Sequence, residues 1–157
     1  MLQSQNVDLI IDSEPVTCER TKIDVKYLAS YSHCFFTTDK FFKESSFCIE
    51  SINNSPLIIT SQSSQEIKLL KNAVGNIKID PIIEAGTAEA LIRLVKDNNG
   101  IGYTQEEYIK EELESGKLKK LNLSFTLPKL DIYCGYITEN LAFAPKTFIE
   151  YITGKKD

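Results

Sequence analysis

The chain has 157 residues, enough for one ordinary domain or two small lobes around a real core. Hydrophobic residues make up 42% and charged residues 25%, which excludes a disordered tract, and no apolar run approaches the roughly 20 residues of a membrane helix. A net charge of −4 argues against an extended basic face able to neutralise duplex phosphates.

Met1 is followed at once by "LQSQNVDLIID", which lacks the basic, apolar and small-residue order of a secretory signal, so a cytoplasmic protein is expected. Val7 to Ile11, "VDLII", reads as a buried strand that stops at "DSEP", where Pro15 cannot continue a ladder. Lys22 to Thr38 reads as one or two strands. "DKFFKESSFCIESINNS" reads as a connection with a short helical turn, before "PLIIT" from Pro56 to Thr60 supplies another buried strand.

Ser63 and Glu66 have the spacing of a capping box, Ile67, Leu70, Ala73 and Val74 share one helical face, and Gly75 suits the residue after a helix. "IKIDPIIEA" is β-like with Pro81 interrupting it. Thr87 then caps a helix in which Ala88, Leu91, Ile92 and Val95 follow the i, i+3, i+4, i+7 pattern to "DNNG". "GIGY" is a short strand, and Thr104 with Glu107 forms a second capping box, opening a helix that stops at Gly116. "KLKKLNLSF" and "KLDIYCGYI" are further strands separated by Pro128. The last helix begins near Pro145 as N1, puts Phe148, Ile149 and Ile152 on one side, and has Phe143 placed to staple its entrance.

Strands alternating with helices predict α/β architecture with largely parallel strands. In such a sheet the strand carboxyl ends and helix amino ends gather on one edge, where free N–H groups and the helix dipole favour a carboxylate or other anion. The junctions "TSQSSQE", "AGTAE" and "YTQEE" each bring hydroxyls to that edge, although Ser and Thr also cap helices that bind nothing. No metal site or cofactor is expected. Cys18, Cys34, Cys48 and Cys134 form no CxxC pair and are expected to be reduced, and His33 is the single histidine. Asp8, Asp12, Glu84, Glu89 and Glu106 are available carboxylates, yet spacing pairs none of them as acid and base, so an enzyme is not expected.

The order of these signals resembles the effector-binding domain of LysR-type transcriptional regulators, a bacterial family. The resemblance is carried by "LQSQNVDLII", by "FF" followed by "SPLIIT", by "IIEAGTAEALIRLVKDNNGIGYTQEEYIKEELESGKLKKL", and by "YITENLAFAPKTFIEYI". It spans nearly the whole chain and rests on order and spacing rather than on one motif. One local departure is Thr104, where the family usually has proline.

The resemblance implies a two-lobed fold of the type II periplasmic-binding-protein kind, with a small polar or anionic effector bound in the inter-lobe cleft. Lobe I would contain residues 1–38 and 123–157 and be incomplete; lobe II would be complete over residues 39–122. It also implies that a winged helix-turn-helix domain and the first elements of lobe I are missing, so that DNA is reached only through absent amino-terminal parts. Effector contacts fall on Ser61, Ser63 and Ser64, on Gly86 and Thr87, and on Thr104, with Thr87 foremost. Thr37, Thr38, Asn122 and Leu123 fall at the crossovers as hinge residues. Family members form homo-oligomers, with these domains pairing as dimers. Two alternatives stay open: a stand-alone solute-binding protein of the same fold, and a redox sensor using Cys34 and Cys48.

Overall fold

A computed structural model describes residues 7–18, 22–41, 46–47, 55–60, 64–74, 83–123, 125–138 and 141–154. The chain divides into two compact units, Met1–Ser30 with Leu130–Asp157, and Tyr31–Lys129.

In the first unit, β1 (Leu9–Asp12), β10 (Leu130–Tyr136) and β2 (Asp24–Tyr31) form a three-stranded sheet in the order β1-β10-β2. β1 runs antiparallel to β10, with Leu9 opposite Tyr136 and Ile11 opposite Cys134. Helix α4 (Phe143–Ile152) covers one face: Ile149 is buried with Cys134 and Tyr136, and Leu9, Leu28 and Leu141 pack around them. The "VDLII" run is a half-buried edge strand rather than a buried one, because β1 has a neighbour on one side only and Ile11 stays 49% exposed. Phe143 does not staple α4. It is the first helical residue, two before Pro145, and is 85% exposed.

The second unit is built on a five-stranded sheet of order β6-β5-β7-β3-β8, comprising β6 (Ile83–Ala85), β5 (Leu57–Thr60), β7 (Ile101–Gln105), β3 (His33–Thr37) and β8 (Lys119–Lys120). β5 is parallel to β6 and β7, whereas β3 is antiparallel to β7 and β8, so the sheet is mixed rather than largely parallel. A short parallel pair, β4 (Ser46–Phe47) with β9 (Asn122–Leu123), stands beside it in sequence.

Both faces of the five-stranded sheet are buried. On one, Ile67 and Leu70 of α1 (Ser64–Val74) pack with Phe35, Leu57, Ile59, Ile101 and Tyr103. On the other, Leu91 and Val95 of α2 (Ala88–Lys96) pack with Cys34, Phe36, Ile58 and Ala85, joined by Ile109 and Leu118. Two-sided burial is why β3 and β5 read as continuous apolar runs: alternate side chains enter opposite cores. Gly102 of β7 is required by this packing, since an added Cβ would lie 2.3 Å from the Phe36 ring.

The helix predicted from Thr104 is instead a 3-10 turn, Glu106–Ile109, followed by α3 (Lys110–Glu114). Thr104 is a strand residue opposite Cys34, and the turn begins after Gln105 with no side-chain cap. The sheet ladder holds Thr104 extended and moves the start of the helix two residues on. α2 ends at Lys96 with Asp97 as its cap, and Asn98 beyond it adopts the left-handed region at φ 63, while Asn98 N–H and Asn99 N–H donate to the Val95 and Leu94 carbonyls at 2.9 and 3.2 Å.

Candidate functional site

The carboxyl ends of parallel β5, β6 and β7 open onto a depression of about 410 Å³ in the second unit. β5 contributes Thr60; the turn after β6 contributes Gly86 and Thr87; and β7 contributes Thr104 and Gln105. Ala88 and Glu89 at the start of α2, and Tyr108 of the 3-10 turn, complete the wall. The register explains the convergence: Thr60 pairs with Ala85, the last residue of β6, so the chain turns into Gly86 beside the end of β5.

Thr87 is the cap predicted for α2. Its backbone is extended and its Oγ1 accepts a 3.2 Å hydrogen bond from Ala90 N–H, while its carbonyl accepts the first helical bond from Leu91 N–H at 3.1 Å. Hydrogen bonding to its own backbone N–H, and then to the Thr87 side chain, holds the Glu89 carboxyl below its ordinary range. The amino end of α2 therefore already carries a carboxylate.

Gly86 is exposed, and a Cβ built there meets nothing within 4 Å. The glycine leaves the depression open without being demanded by the packing. Thr104 is different in kind: it is only 7% exposed, it lines the depression, and among the described residues nothing hydrogen-bonds its hydroxyl. The residue is buried while its unpartnered hydroxyl stays accessible from the depression, so it is poised for a ligand.

Of the effector-site residues expected from sequence, the depression brings together Gly86, Thr87 and Thr104. Ser61 and Ser63 lie outside the described residues, and Ser64 opens α1. Thr60, Gln105 and Tyr108 were not among the expected contacts; the signal available was their place at strand ends adjoining "AGT" and "GIGYT". Glu89 was noted only as a first-turn charge.

The expected hinge residues all lie within the second unit, whose limits at Tyr31 and Lys129 fall outside them. Thr37 Oγ1 donates to the Gly100 carbonyl at 3.1 Å, and Thr38 Oγ1 donates to Asn98 Oδ1 at 2.5 Å. Both threonines are buried and tie β3 to the loop before β7. Asn122 and Leu123 form β9. The second unit runs from Tyr31 to Lys129, whereas the expected boundary put residues up to 38 and from 123 in lobe I. The ladder between β3 and β7 accounts for the difference at the first crossover.

Cys34 is fully buried, and desolvation, reinforced by nearby Glu106, pushes its thiol up to about 12. Burial also pushes Cys134 up. Such thiols hold almost no thiolate at neutral pH and are poor redox sensors; Cys48 lies outside the described residues. His33 is buried with its ring stacked on Tyr103, centroids 5.5 Å apart. Among the described residues no three His, Cys, Asp or Glu side chains converge as a metal site, and no helix is long and apolar enough to cross a membrane.

The sequence profile described as the LysR substrate binding domain matches residues 1–156. No curated protein matches the chain. Among solved structures, the regulatory domain of Synechocystis CcmR in complex with 2-PG is similar, with 18% identity, a TM-score of 0.74, and 98% of this chain and 75% of that one covered. The regulatory domain of MetR, a LysR family regulator from Neisseria meningitidis, is similar with 19% identity and a TM-score of 0.73, over 96% of this chain and 70% of that one. The regulatory domain of CrgA, a LysR-type transcriptional regulator from the same species, has 16% identity and a TM-score of 0.67, over 98% and 78%. The fold is thus the type II periplasmic-binding-protein-like fold of LysR regulatory domains. With a profile match along almost its whole length, the chain belongs to the LysR substrate-binding domain family, whose role is ligand-sensing regulation of transcription.

Proposed function

We propose that the second unit senses a small polar effector at the carboxyl edge of β5, β6 and β7. The observation that carries this reading is the unpaired hydroxyl of Thr104, a residue only 7% exposed, opening beside Thr87 and Gly86 onto a depression of about 410 Å³. A depression of that size suits a small metabolite, and the similar CcmR domain is in complex with 2-PG. Effector binding changes transcription by favouring one conformation of the regulator, which requires a different affinity for the two conformations. The domain acts as a sensor rather than an enzyme, in a cytoplasmic homo-oligomer. DNA contact belongs to a part of the regulator other than these residues, consistent with their net charge of −4.

A Gly86→Val substitution tests the site. The added side chain enters the depression from a position where a Cβ has open space, so the fold is retained. A thermal-shift screen of small polar metabolites is expected to give stabilising compounds whose shift is lost in Gly86→Val. Hits that stabilise this variant as strongly as the unaltered chain place the effector elsewhere.

A further inference from the structure

The depression has a sign. Glu89 is the one charged residue among its described wall residues, and no lysine or arginine faces it there. The start of α2, which would otherwise attract an anion, has its Ala90 N–H engaged by Thr87 and carries the Glu89 carboxylate. An anionic effector at this wall would meet a fixed like charge. A cation would meet three complementary groups: the Glu89 carboxylate, the ring of Tyr108, whose face attracts positive charge, and the free Thr104 hydroxyl as acceptor.

On these grounds, and resting on the effector site proposed above, we infer that the effector presents a cationic group, an ammonium or amidinium, to Glu89 and Tyr108 while a polar group of the same molecule reaches Thr104. Gly86 supplies the room, since nothing occupies the space over its Cα within 4 Å. Compounds suited to the site are short amines and amino alcohols rather than dicarboxylates or phosphates. The carboxylate and the ring select for the charge, and the Thr104 hydroxyl selects against a purely apolar tail, because an apolar neighbour would cover it and leave it unsatisfied.

The test uses three five-carbon probes that differ only in their ends: cadaverine, 1,5-pentanediol and glutarate. They are titrated into the full 157-residue chain labelled with 15N, with amide shifts read at Gly86, Thr87 and Thr104. Cadaverine is expected to move these amides and to bind about fivefold tighter than pentanediol, the scale of an exposed ion pair, with glutarate weakest. Glu89→Gln is expected to bring cadaverine and pentanediol to equal affinity, and Thr104→Val to weaken both equally. If glutarate moves the same amides at concentrations as low as cadaverine does, the charge assignment is overturned and the site stands. If none of the three moves them at any soluble concentration, the site itself is overturned, and the charge assignment with it.

Discussion

The two sheets of this chain are finished differently. The five-stranded sheet has a buried layer on each face, so all five residues of β3 are buried and His33, Thr37 and Thr38 are enclosed with the apolar ones. The three-stranded sheet has α4 on one face, and elsewhere it leaves Val25 39% and Tyr27 56% exposed, Tyr27 meeting Tyr133 edge-on at 6.0 Å. Covered on both sides, a strand becomes intolerant at every position; covered on one, it tolerates change at alternate positions. The candidate site lies on the first kind of sheet. A rigid strand framework is what holds the hydroxyls of three separate segments in register around one depression.

Substitution can break that contrast. The largest effect is expected from Phe36→Ala, which empties a fully buried position against Gly102 and removes about 3–5 kcal/mol of stability in chemical denaturation. A loss below about 1 kcal/mol would mean that the double-sided core is far looser than its burial indicates. A smaller effect concerns pH. Because Cys34 stays protonated in the folded chain up to about 12, its contribution to stability is complete below the unfolded-state value of 9.0 and declines as pH rises from there towards 12. The unaltered chain is therefore expected to lose more stability between pH 9 and 11 than Cys34→Ala does. Equal slopes would show that the thiol ionises normally.

Thr87→Ala comes next, removing the hydroxyl that caps α2 and costing about 1 kcal/mol. Urea denaturation checks it, and Thr87→Ser restores the loss if the cap is the cause. The smallest effect is expected from Tyr27→Ser at an exposed position of the three-stranded sheet, within about 0.5 kcal/mol of the unaltered chain. A loss as large as that of Phe36→Ala would erase the distinction between the sheets.

The parts of the fold that could be read from residue order are those where local preference and tertiary packing agree. Thr87 and the Leu91 and Val95 stripe are such a case, as is the apolar run at Leu57–Ile59. Thr104 shows where they part. Its spacing to Glu107 is that of a capping box, but Thr104 sits opposite Cys34 in the β3–β7 ladder, a partner some 70 residues away in sequence that no local window contains. "VDLII" looked buried for a related reason: an apolar run reports what its side chains prefer, and not how many neighbours the strand acquires. At the site, Gly86, Thr87 and Thr104 were legible because each stands at a strand–helix junction. Tyr108 was not, since its place depends on a 3-10 turn where the sequence favours a continuous helix. The free state of the Thr104 hydroxyl could be known only from its surroundings.

The open space over Gly86 has a practical use. A Gly86→Cys substitution would set a thiol at the mouth of the depression, where the chain is exposed and a β carbon meets nothing. Cys34, buried and with its thiol raised to about 12, would not compete for a thiol-directed dye at neutral pH, whereas the partly exposed Cys18 would, so Cys18 and Cys48 are first replaced by serine. A dye attached there would report by its emission on anything that enters beside it, and a disulfide library screened against the same thiol would retain fragments according to how well they fit the surrounding wall. A position without a side chain, on the wall of the proposed site, is thus a natural attachment point for testing what enters the depression.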